Sequence, residues 1–239
     1  MTWSILVRDL NGDFGIGIAS RFFAVGSLCI HTSPEKGCLS TQALMNPLYG
    51  PQGIELINQG LDPKSIVETL VERDAGRAQR QIHVLTNSGE SFAYTGDGCV
   101  DWCGHTSVSN ISVAGNMLVG PEVLQRTLEA FLDLGGQPLA KRLILAMSEG
   151  ERAGGDKRGK QAAAILVQSN QPYPSLSLRV DDHLEPIEEL KRLYNKSLER
   201  FQPFISCLAT TQKPSGVTDR GSIEDAIAEF HKSRHNDAI

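Results

Sequence analysis

Residues 1–20, MTWSILVRDLNGDFGIGIAS, set two apolar runs on either side of a polar turn at Asn11-Gly12-Asp13. An Asn-Gly pair between such runs is the strongest short-range signal of a β-hairpin, so residues 3–9 and 14–20 are expected to be antiparallel strands. In the second strand Gly15 and Gly17 alternate with Ile16 and Ile18, which leaves one face open to a close neighbour. The hairpin starts beside Thr2, and because Thr2 is small, removal of Met1 is expected. A free α-amine titrates near pH ~8, so a useful fraction is neutral and can take the proton of the adjacent hydroxyl, directly or through a water. The alternative is a β-branched residue that merely begins an edge strand, and both readings stand at this point.

Outward from the hairpin, residues 26–31 and 37–42 read as a second strand pair around Pro34 and Gly37. The period then changes. Apolar residues three and four apart in IELINQG (54–60) and PKSIVETLVERD (63–74) predict two short helices, with Pro63 suited to a first turn. Strands return at QIHVLTN (81–87), SFAYTG (91–96) and NISVAGN (110–116). Two helices follow, from Pro121 to the Gly135-Gly136 stop and over 138–153, then strands AAAILVQ (162–168) and SLSLRV (175–180), and a charged amphipathic helix from Pro186 to Arg200. Segregated runs of strands and helices with antiparallel hairpins indicate an α+β fold, two packed sheets each covered outside by helices. Residues 1–200 are read as that one domain, and residues 201–239 as a C-terminal tail, partly helical or flexible.

A chain of 239 residues, 40% hydrophobic, can bury one substantial core, and nothing in it requires a second. The net charge of -5, without a basic cluster near aromatics, argues against nucleic acid as a partner. No apolar run approaches the ~20 residues that cross a bilayer, and residues 1–20 lack the pattern of a signal peptide, so no membrane partner and a cytoplasmic location are expected. Cys29, Cys38, Cys99, Cys103 and Cys207 form an odd set that suits a reducing compartment.

Several stretches carry a resemblance: MTWSILVRD, GIGIASRFFAVG (15–26), STQALMNPLYGPQG (40–53), TGDGCVDWCGH (95–105), GNMLVGPEV (115–123), AGGDKRGKQAAAILV (153–167) and LRVDDH (178–183). From residue 1 to about 195 the chain resembles the domain-of-unknown-function 1028 family, regarded as related to the N-terminal nucleophile hydrolases with their four-layer αββα sandwich. The resemblance implies a nucleophile at the start of the first strand, in a cleft where two sheets part. Thr2 would hold that place. Neighbouring strand ends would supply Ser20 and Arg21, the latter for a substrate carboxylate or a developing negative charge, and Thr41 and Gln42 to orient the amine or the attacking water. Gly115 and Asn116 would face an oxyanion, or simply turn the chain into the next helix. Asn46 would contribute to substrate binding. Asp156 would either set the protonation of the amine or cap its own glycine-rich turn.

The implied activity is hydrolysis of a linear or cyclic amide bond in a small molecule or short peptide, by a homo-oligomer needing no cofactor. A non-catalytic relative that binds a small metabolite or assists assembly of a partner is the alternative. Cys99, Cys103 and His105 are potential zinc ligands, but no second pair completes four, so a packed loop with reduced thiols is the expectation and no metal site is assigned. His31, His83 and His183 are isolated and read as structural. No GxGxxG opens a helix, so no nucleotide site follows.

Overall fold

The hairpin forms as its turn chemistry dictates. In the computed structural model, which describes residues 2–233 and 239, β1 (Thr2–Arg8) and β2 (Phe14–Ser20) pair antiparallel with Trp3 opposite Ala19 and Arg8 opposite Phe14. The Asp9 carboxylate accepts the amides of Asn11 and Asp13 at 2.9 and 3.0 Å, and Gly12 takes φ +88° at the tip.

The chain then runs through β3 (Ile30–Ser33), β4 (Gly37–Ala43), α1 (Tyr49–Asn58), α2 (Pro63–Glu72), β5 (Arg80–Thr86), β6 (Ser91–Thr95), β7 (Gly104–Val108) and β8 (Ile111–Asn116). It continues with α3 (Glu122–Asp133), α4 (Leu139–Arg152), β9 (Ala162–Gln168), β10 (Leu176–Val180) and α5 (Pro186–Glu199). One sheet has the order β10-β9-β2-β1-β8-β7, the other β3-β4-β5-β6, and every ladder is antiparallel. The fold is therefore α+β with two antiparallel sheets. Helices α3, α4 and α5 cover the outer face of the larger sheet, burying Trp3, Ile5, Leu143, Met147 and Tyr194. Helices α1 and α2 cover the smaller sheet over Leu39, Ile66, Ile82 and Val84. Between the sheets lies a third apolar cluster around Leu6, Phe14, Ile16, Ile18 and Leu85.

The close neighbour allowed by Gly15 and Gly17 is α4. A Cβ on Gly15 would come within 2.9 Å of the Leu143 side chain, and one on Gly17 within 3.0 Å of Met147.

Three local expectations are corrected. The strand expected over 26–31 begins only at Ile30, because Ala24 at φ +52° turns the chain into a short 3-10 turn at Val25–Ser27. Helix α1 begins at Tyr49, with Pro51 in its first turn, where a missing N–H costs nothing. The segment 104–108, which overlaps the loop expected around Cys99–His105 and to which no strand was assigned, is the edge strand β7; GHTSV has little apolar content because that edge is largely exposed. Beyond α5, helix α6 (Phe201–Ile205) packs on α5, and α7 (Arg220–Ser233) packs on α6. Tyr173 donates to the Ala209 carbonyl at 2.6 Å, and the Asn195 amide pairs with the backbone N–H and C=O of Ile239, both at 2.9 Å.

Candidate functional site

Strand alternation decides what faces the gap between the sheets. Trp3, Ile5 and Val7 point outward to the helices, so Thr2, Ser4 and Leu6 point inward. The cross-strand register adds Ser20, Ile18 and Ile16 from β2, and Asn116, Ala114 and Ser112 from β8. The facing sheet contributes Gln42, Ser40 and Cys38 from β4 opposite Gln81, His83 and Leu85 from β5. The gap is thus apolar near the Asn11 turn and polar towards Thr2. Three strand ends meet there, with Thr2 between Ser20 and Asn116.

Thr2 is 4% exposed, and its Oγ1 donates to Ser20 Oγ at 3.1 Å. Its carbonyl is approached by Asn116 Nδ2 at 3.4 Å and Gln42 Nε2 at 3.5 Å. Behind them, Gln81 fixes the polarity of the whole layer. Its Nε2 faces the carbonyls of Gly115 at 2.9 Å and Gly104 at 3.1 Å, which only accept, and reaches Thr95 Oγ1 at 2.8 Å. Gln81 Oε1 must then be the acceptor for Asn116 Nδ2 at 2.9 Å and Gln42 Nε2 at 2.8 Å. Gln42 consequently presents its Oε1 to Ser4 at 2.7 Å and Ser40 at 3.2 Å. With its hydrogen so used, Ser4 accepts from His83 Nε2 at 2.8 Å, and His83 Nδ1 accepts from Ser112 at 2.9 Å. His83 is fully buried, and desolvation, with a smaller contribution from His105, lowers it to about 3, so it is neutral with its hydrogen on Nε2.

The candidate residues divide between this layer and its surroundings. Thr2, Ser20, Gln42 and Asn116 come together. Gly115, opposite Trp3, contributes its carbonyl to Gln81. Thr41 lies on the opposite face of β4, fully buried, and donates to the Asn46 carbonyl at 3.3 Å, so it does not reach Thr2. Asn46 belongs to a separate knot: Asp74 accepts from Asn46 Nδ2 at 3.1 Å, Tyr49 OH at 2.9 Å and Arg80 Nε at 2.9 Å. Arg80 foremost, then the Gly76 amide, holds the Asp74 carboxyl well below the usual carboxylate range. Asp156 accepts the backbone N–H of Arg21 at 2.8 Å and that of Arg158 at 2.9 Å, and pairs with the Arg158 guanidinium at 3.1 Å. It ties the end of β2 to its glycine-rich loop. The Arg21 guanidinium donates to the Arg158 carbonyl and lines a solvent-open cleft with Lys160, Asp182 and His183.

Beside Asn116 opens a cavity of about 310 Å³ with walls from Ala43, Leu44, Val100 and Met117 and the Cys99 thiol. Thr2 does not line it; Asn116 stands between them. Ala43 at φ +68° and Met117 at φ +55° hold left-handed backbone on its rim, a strain of about 1 kcal/mol or more each that concentrates at functional sites. Burial, with Cys103 nearby, pushes the Cys99 thiol up to about 11, so it is uncharged at neutral pH. Cys99 donates to the Arg80 carbonyl at 3.3 Å and His105 Nδ1 lies 3.0 Å from Thr95 Oγ1; among the described residues no three His, Cys, Asp or Glu side chains are grouped to hold a metal ion.

The sequence model of DUF1028, a family of unknown function, matches residues 2–190. The chain belongs to the DUF1028 family. Its fold is similar to the crystal structure of the DUF1028 protein SPO2555 from Silicibacter pomeroyi, with a TM-score of 0.84 and 28% identity over 92% of this chain and 96% of that one. Anbu, the ancestral β-subunit from Yersinia bercovieri, aligns at a TM-score of 0.37 and 13% identity over 82% of this chain and 94% of its own, a likeness too distant to bear on function. Comparison with curated proteins finds no match.

In this DUF1028 chain the residues that sequence reasoning missed are Gln81, Ser4, Ser40 and Ser112, with His83 set aside as isolated. The signal was present as parity. TWS, STQ, QIH and SVAGN each place small polar groups two or four residues apart on one face of a strand, and only the pairing of strands reveals that these faces meet.

Proposed function

We propose that this DUF1028 protein is a hydrolase of the N-terminal nucleophile type that cleaves a linear or cyclic amide bond in a small molecule or short peptide, with Thr2 as nucleophile once Met1 is removed. Met1 lies outside the described residues. The observation that carries the reading is the place of Thr2, inward-facing between Ser20 and Asn116 at the polar end of the gap, with its carbonyl held from both sheets. In the reaction Thr2 Oγ1 attacks the amide carbonyl while the freed α-amine takes the hydroxyl proton. Collapse of the tetrahedral intermediate breaks the C–N bond, and the amine delivers that proton to the leaving nitrogen. Water then hydrolyses the ester formed on Thr2. Asn116 does not serve as the oxyanion donor in this scheme, because its NH2 group is engaged by Gln81 and the Thr2 carbonyl. Arg21, which follows Ser20, remains the candidate for developing negative charge or a substrate carboxylate.

The burial of Thr2 supports a second reading, a non-catalytic protein of the same fold that binds a small metabolite or assists assembly of a partner. Mass spectrometry of the native-host protein and a Thr2→Ala variant separate the two. The hydrolase reading predicts loss of Met1 and loss of amide turnover in Thr2→Ala; retained Met1 with turnover unchanged in Thr2→Ala removes it. No described helix is long and apolar enough to cross a membrane. A cytoplasmic homo-oligomer acting on small substrates completes the proposal.

A further inference from the structure

The polarity set by Gln81 has a consequence for what the cavity beside Asn116 can bind. Both hydrogens of the Asn116 amide are directed away from it, to Gln81 Oε1 at 2.9 Å and the Thr2 carbonyl at 3.4 Å. Asn116 is 2% exposed, and among the described residues its Oδ1 receives no hydrogen bond. Solvent satisfies such an acceptor on a cavity wall, and an occupant that displaces that water loses the hydrogen bond unless it supplies a donor of its own. The remaining walls are apolar or neutral: Ala43, Leu44, Val100 and Met117, the Cys99 thiol, and the Gln79 amide. With no charged side chain among them, a charged occupant would be desolvated without compensation.

We infer that this cavity is the subsite for a neutral, apolar group carrying one N–H, donated to Asn116 Oδ1, and that Gln81 is the positioning residue that makes Asn116 an acceptor there. The inference rests on the proposed hydrolase reading only in calling the occupant part of an amide substrate. Because Asn116 stands between Thr2 and the cavity, the chemical class is then a substrate that carries, away from the scissile bond, a secondary amide with a small alkyl or aromatic substituent. Tertiary amides and free carboxylates are excluded from this side of Thr2. A carboxylate elsewhere in the substrate would lie towards Arg21.

The test is ligand-observed NMR titration of the full chain with N-methylbenzamide, N,N-dimethylbenzamide and benzoate. Saturable binding of N-methylbenzamide is expected, with N,N-dimethylbenzamide about tenfold weaker, the effect of one lost hydrogen bond, and benzoate weaker still. Val100→Trp, a substitution at a half-exposed wall, should abolish N-methylbenzamide binding, and Asn116→Ala should erase the preference for the N–H compound. Absence of saturable N-methylbenzamide binding up to about 10 mM, equal binding of the dimethyl compound, or binding undisturbed by Val100→Trp overturns the subsite. Because binding is read without turnover, the N–H preference seen together with retained Met1 and no hydrolysis would leave the subsite standing while the nucleophile reading fell.

Discussion

Gly150, in the last turn of α4, is a residue whose identity is set by close contacts with neighbouring elements. A Cβ there would sit 2.2 Å from Thr127 Oγ1 and 2.9 Å from the indole nitrogen of Trp3, next in sequence to Thr2. Helix propensity alone favours alanine over glycine by about 1 kcal/mol, yet Gly150→Ala is expected to destabilise the protein by about 1–3 kcal/mol through overpacking. Chemical denaturation checks the sign. His83 makes a second prediction at this scale. Its pKa in the fold, about 3, lies below the ordinary 6.5, so the unfolded chain takes up the proton first. Its contribution is therefore complete above about pH 6.5 and is lost as pH falls from there towards 3, with a slope of at most about 1.4 kcal/mol per pH unit. Urea midpoints measured across that window should fall less steeply for His83→Gln than for the wild type.

Among elements, the ends of β1, β2, β4, β5 and β8 place the candidate groups, and the loop after β4 is held by a separate clamp. Asp74 gathers Asn46, Tyr49 and Arg80 onto one carboxylate, and Arg80 in turn donates to the Leu44 carbonyl on the cavity rim. Asp74→Asn should cost about 1–3 kcal/mol in thermal or urea unfolding, since it leaves charged and neutral donors under-satisfied. Because Asp74 is held below the usual carboxylate range, its stabilisation is present above about pH 4 and fades as acid protonates it, a decline that Asp74→Asn should lack. Element types were largely legible: the Asn11-Gly12 turn announced the first hairpin, and the change of period after Gly53 announced the helices. What escaped was decided by pairing. GHTSV becomes β7 only because β8 offers it an edge, and Thr41 was grouped with Gln42 although neighbouring residues on a strand face opposite ways.

At the scale of the whole molecule, the two-sheet sandwich with helices outside followed from the order of elements, whereas its site did not. Thr2, Ser20, Gln42 and Asn116 were legible as strand ends carrying polar groups, but the layer behind them joins residues up to 79 positions apart, through Ser4 and His83. No local pattern encodes such contacts. Two sides of Thr2 also differ in character: a neutral cavity lies beyond Asn116 and the Arg21 cleft beyond Ser20. The most direct measurement is intact-mass and peptide-mapping spectrometry of the native-host protein after exposure to an acylating probe such as a small β-lactone, with the mapping locating the acyl group. A chain that begins at Thr2 and carries one acyl group on its Oγ1, absent in Thr2→Ala, is the expected result; a chain that keeps Met1 and is acylated elsewhere, or not at all, overturns the hydrolase proposal.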